Sequence, residues 1–85
     1  ENKEQAPQFM KDHLEWIEKG LDDNIFLLAG GLLPNLGGTI LAHNSPKLDL
    51  IKRMDTDPFV KEKIVSYEVF AVSPTKIHSS LKTIL

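Results

Sequence analysis

Asp55-Thr56-Asp57-Pro58-Phe59-Val60 is the corner on which this chain turns. Proline disfavours helical backbone in the residue before it and suits the first turn of a helix that follows. The Asp57-Pro58 pair therefore predicts the end of one helix, a change of direction, and a second short turn capped by the Asp57 carboxylate. That carboxylate is also one of few side chains here with a use in chemistry.

Upstream of the corner, Asn44-Ser45-Pro46 reads as a helix start, with Ser45 as N-cap and Pro46 at the first helical position. Leu48, Leu50, Ile51 and Met54 form its expected buried face. Lys52 and Arg53 point elsewhere, as a solvated face that could receive an anionic substrate. Asp55 reads as a solvated charge at the helix end. Downstream, Val65, Tyr67, Val69 and Ala71 alternate with Ser66, Glu68, Phe70 and Val72, the best strand signal in the chain. Pro74 ends it, and residues 76–85 carry weak helical character.

Further out, Ile25-Phe26-Leu27-Leu28-Ala29 is a continuous apolar run, which predicts a strand covered on both faces. Gly30-Gly31 and Gly37-Gly38 bracket a hairpin loop, and Thr39-Ile40-Leu41-Ala42 is the returning strand. Neither glycine pair is a phosphate loop, because no Lys-Ser/Thr follows and the spacing is not G-x-G-x-x-G. Residues 8–21, opened by Pro7, have helical periodicity. Phe9, Met10, Leu14, Trp16, Ile17 and Leu21 fall within an arc of about 160°. His13 lies inside that stripe and is expected to face the sheet. Gly20 and the Leu21-Asp22-Asp23-Asn24 run end the helix in turn chemistry. Residues 1–5 are polar and read as loose.

The predicted elements make one α+β domain over residues 1–85, with helices on one face of a mainly antiparallel sheet. They complete a ferredoxin-like β-α-β-β-α-β unit if a strand precedes Glu1, so an upstream strand is expected in the intact protein. A domain this small gains by oligomerising. Phe70 and Val72 give the last strand an apolar face that helices leave bare, which predicts a homodimer.

The net charge of −2, with no basic cluster or stacked aromatics, argues against nucleic acid as a partner. There is no cysteine, so disulfides, thiolate metal sites and cysteine nucleophiles are excluded. No apolar run approaches the ~18 residues of a membrane span, and no signal segment is visible. A reducing, cytoplasmic setting is the expectation. His13, His43 and His78 have no metal-site spacing, and Ser45, Ser66 and Ser73 lack a nucleophile-elbow context.

Several of these stretches resemble the YciI-like (YCII-related) family. They are His13-Leu14-Glu15-Trp16, Leu28-Ala29-Gly30-Gly31, Gly38-Thr39-Ile40-Leu41-Ala42, Asp55-Thr56-Asp57-Pro58-Phe59-Val60, Tyr67-Glu68-Val69 and Ser73-Pro74-Thr75-Lys76. The resemblance covers roughly residues 11–76, and order and spacing carry it more than any single motif. It implies a ferredoxin-like fold paired into a dimeric α+β barrel. It also implies an active centre made of a His–Asp pair, which by position is His13 and Asp57. The departure is the first β-strand of the family, which is absent from this chain.

The residues themselves lead to the same pair. An imidazole inside an apolar stripe needs a polar partner, at a cost of about 1–3 kcal/mol without one, and Asp57 is the best placed carboxylate. One expectation is a small-molecule enzyme in which His13 transfers protons in an isomerase- or lyase-type reaction, with no obligatory cofactor and no metal. The other is a non-catalytic ligand-binding or interaction module, with His13 packed and Asp57 serving as a helix cap.

Overall fold

The computed structural model describes residues 2–85, and the reading of Glu1 as part of a loose end lies outside them. Asn2 to Gln5 are not loose. Asn2 donates from its backbone N–H to Lys63 O (3.3 Å) and from Nδ2 to Glu62 O (3.0 Å), and Lys3–Gln5 forms a 3-10 turn.

Helix α1 spans Ala6–Asp22, with Pro7 in its first turn where a missing N–H costs nothing. Its end is set by Asn24, whose φ of 62° lets two backbone bonds close the last turn. Ile25 N–H donates to Gly20 O and Asn24 N–H to Leu21 O, both at 3.0 Å, the paired pattern of a Schellman motif. Gly20 itself is helical and buried. The expectation that it helps end the helix is corrected: its missing side chain is where the Phe26 ring sits.

Strands β1, Phe26–Gly31, and β2, Gly38–Ala42, form the antiparallel hairpin that the glycine pairs predict. The register pairs Ala29 with Ile40 and Gly30 with Thr39, and it slips between Phe26 and Leu28. Gly37, at φ 109°, supplies the turn conformation that a side chain would resist. The run is not covered on both faces. Leu28 and Leu41 are cross-strand partners, and both stay exposed.

Helix α2 spans Lys47–Met54, one residue later than expected. Pro46 is the N-cap and Ser45 makes no capping bond, because Pro46 holds an extended ψ of 153°. Leu48 is 74% exposed, and Leu50, Ile51 and Met54 are half-buried. Arg53, in the last turn, reaches Asp23 at the end of α1 (3.1 Å) and lies over the Phe26 ring. Helix α3, Pro58–Lys61, follows the corner. It closes with Lys63 at φ 59° and bonds from Ile64 N–H to Phe59 O and Lys63 N–H to Val60 O, a second Schellman ending. Helix α4, Ser79–Lys82, is capped by His78 Nδ1, which accepts from Ser80 N–H at 3.0 Å.

The main correction concerns residues 65–72. Their alternation predicts a strand, but they form no regular element and lie outside the sheet, whose two strands are β1 and β2 among the described residues. Alternation is a property of side chains, whereas a strand exists only where a neighbour accepts its backbone bonds. Phe70 and Val72 are 79% and 81% exposed.

The result is a small α+β domain with four α-helices and a two-stranded sheet among the described residues. Its buried large apolar residues among those described are Phe26 on the first strand and Phe59 and Ile64 at and after the corner. The radius of gyration is 13.9 Å, against about 12 Å for a compact chain of this length. The accessible surface is 6770 Å², against about 5,100 Å² for a compact monomer of this mass. No helix among the described residues is long and apolar enough to cross a membrane.

Candidate functional site

The corner at Asp57 places a carboxylate where α1 passes. The Asp57 backbone is extended before Pro58, and its Oδ1 accepts from Phe59 N–H at 3.0 Å, capping α3. The same oxygen lies 2.8 Å from His13 Nδ1 on the middle of α1. Asp57 is 3% exposed, and the His13 side chain is 19% exposed. The imidazole lies flat on the Phe59 ring, with centroids 3.9 Å apart and planes within 2°. His13 therefore faces α3, not the hairpin that its place in the apolar stripe suggests.

This geometry selects a tautomer. An ionised carboxylate only accepts hydrogen bonds, so Nδ1 carries a proton toward Asp57. The neutral ring then presents a lone pair on Nε2, which has no partner among the described residues and is not a buried atom. A carboxylate and the imidazole that it orients are the two inner members of the arrangement that hydrolases use for proton transfer.

Trp16, which the sequence places in the apolar stripe of α1, flanks the ring and is itself held by two others. Trp16, one turn along α1, stacks obliquely on His13 with centroids 6.2 Å apart. Its Nε1–H donates to Thr56 Oγ1 at 2.9 Å, and the Thr56 hydroxyl donates to Arg53 O at 2.6 Å. Phe26 meets Trp16 edge-on at 5.2 Å. The Thr56–Trp16 bond spans forty residues of sequence. No local signal could reveal it.

Asp55 is exposed, as expected, but it is not merely solvated. Tyr67 Oη donates to Asp55 Oδ1 at 2.7 Å. That bond, reinforced by burial and by the Asp55 charge, holds the Tyr67 phenol above its ordinary range. The folded-state value is raised, so the stabilisation is full below the ordinary phenol range and is lost as pH rises through the raised value. Near-ultraviolet absorbance of the single tyrosine should show ionisation at higher pH than free tyrosine, and Asp55→Ala should return it toward the ordinary range. An unchanged titration in that variant would remove the bond from the account.

Asp23 is held below the usual carboxylate range by its hydrogen bond from Arg53 and then by that from Lys19. His43 lies apart from the pair. Its Nε2 is 3.3 Å from Asn44 Nδ2, and its buried Nδ1 has no partner among the described residues. Among the described residues no group of three His, Cys, Asp or Glu side chains is arranged to hold a metal ion.

Two open depressions lie near the pair, and neither is lined by His13 or Asp57. One, of about 330 Å³, runs along Val60, Lys63 and residues 65–67. The other, of about 480 Å³, has Trp16 and Thr56 in its wall. No protein-family model, curated protein or solved structure matches the chain.

Proposed function

We propose that this protein is a small-molecule enzyme of the YciI-like kind, transferring protons through His13 with Asp57 as its orienting partner. The observation that carries this reading is the 2.8 Å bond from His13 Nδ1 to a buried carboxylate, with Nε2 left without a partner among the described residues. In an isomerase- or lyase-type reaction, Nε2 takes a proton from an activated carbon. Asp57 stabilises the imidazolium that forms, and the proton returns at another atom of the substrate or leaves with a departing group. None of these steps calls on an obligatory cofactor.

The assembly in this reading is a cytoplasmic homodimer in which two ferredoxin-like units form a dimeric α+β barrel. The order helix, two-stranded hairpin, helix, then a segment of alternating side chains supports the ferredoxin-like assignment. Surface area supports the dimer. The excess over a compact monomer is about 1,700 Å² on one chain, about twice the ~800 Å² that each partner buries in a standard interface, so the surface is ample for a dimer. Exposed Phe70, Val72, Leu28 and Leu41 give that excess an apolar character. Light scattering on the eluting protein should give twice the chain mass, and a monomer at tens of micromolar would count against the barrel.

Asp57 also satisfies a purely structural role, since it caps α3 and is almost fully buried. That favours a second reading, a non-catalytic ligand-binding or interaction module. Solvent-deuterium exchange into a panel of small organic acids and cyclic ketones separates the two. His13→Gln should cut exchange by about 10²-fold or more, and Asp57→Asn should lower it while the fold is kept. If both variants retain every activity of the wild type, the module reading replaces the enzyme.

A further inference from the structure

We propose that the depression beside Trp16 binds the carboxylate end of a small, flat organic anion, the substrate class of the His13–Asp57 site. The inference rests on the acid/base reading above and adds what that site would act on.

Charge comes first. Lys19, Lys52 and Arg53 line the depression against a single acid, Asp49, in a chain whose net charge is −2. Asp23 engages both Lys19 (3.3 Å) and Arg53 (3.1 Å), whereas Lys52 has no ion-pair partner among the described residues. With both acids counted, one positive charge is left uncompensated, which suits a monoanion. Shape comes second. A volume of about 480 Å³ is in the range of small-ligand sites. Its wall includes the indole of Trp16, which donates to Thr56 at one edge and meets the Phe26 ring edge-on. A fixed aromatic wall near an unpaired ammonium fits an aromatic or conjugated carboxylate better than a compact inorganic ion.

Position joins the depression to the proton-transfer pair. Trp16 is one helical turn from His13, with ring centroids 6.2 Å apart, and Thr56 is the residue before Asp57. Trp16 is thus common to both, lining the depression and stacking on the imidazole, while His13 and Asp57 themselves are not in the depression's wall.

Trp16 is the single tryptophan, so its fluorescence reports occupancy directly. Benzoate should change the emission saturably, and benzyl alcohol and benzylammonium should not. Lys52→Glu should weaken benzoate by about tenfold or more. Lys47→Glu, on the same helix but outside the depression, should leave it unchanged. His13→Gln should bind benzoate within about twofold of wild type. Absence of a saturable benzoate signal, equal binding of all three probes, or undiminished binding by Lys52→Glu overturns the subsite. Retained turnover in a His13→Gln protein that still binds benzoate overturns the acid/base reading instead, so the two failures are distinct.

Discussion

Gly20→Ala should lower the stability of this protein by about 2 kcal/mol, although it places the best helix former inside a helix. Two opposing effects set that figure. Replacing glycine by alanine in a helix interior ordinarily gains about 1 kcal/mol. Here the added Cβ would overlap Cδ2, Cε2 and Cγ of the Phe26 ring, and Phe26 is 2% exposed. Overpacking a filled site costs about 1–3 kcal/mol, and overlap with several atoms of a rigid, buried ring belongs at the top of that range. The net loss should lower the melting temperature by about 10 °C in a chain of this size. Phe26→Leu should cost less in the Gly20→Ala background than in the wild type, with a coupling of about 1 kcal/mol. A neutral or stabilising Gly20→Ala would mean that Phe26 is not seated against α1.

That glycine also marks how far the sequence could be read. Where residues act through their own backbone, the reading is close. Pro7 and Pro58 open helices, Asp57 caps one, and the glycine pairs turn a hairpin. Local chemistry decides each of these, and neighbours in sequence are enough to see it. Gly20 looks like a stop for the same reason, but its role depends on a ring six residues away that only the folded chain brings back. The alternation of residues 65–72 is equally clear, yet it predicts no strand here, because the ladder partner is a property of the rest of the sheet. The site divides in the same way. An imidazole in an apolar stripe and a carboxylate at a proline corner are visible as a pair needing each other. The Trp16–Thr56 bond, the Phe59 ring under His13 and the Tyr67–Asp55 bond join distant segments and have no sequence signature.

Asp57→Ala should be the most damaging single change at the candidate site, with a loss of about 3 kcal/mol. One carboxylate oxygen serves two donors, the Phe59 N–H that opens α3 and His13 Nδ1. Loss of the cap alone costs about 1 kcal/mol. The imidazole, mostly buried between Phe59 and Trp16, then loses its only protein partner among the described residues, at about 1–3 kcal/mol. Phe59 belongs to the small buried core, so loosening α3 also loosens the ring on which His13 rests. Asp57→Asn should behave differently, because its amide oxygen can still accept from both donors, and the loss should stay below about 1 kcal/mol. What Asn cannot do is stabilise an imidazolium by charge. Denaturant titration of the two variants, beside their exchange activity, therefore separates the two duties of one side chain. A small loss for Asn with activity abolished assigns the charge to chemistry and the oxygen to the fold. Equal stability losses for Ala and Asn would show that the carboxylate charge itself holds the corner, and the division of labour argued here would fail.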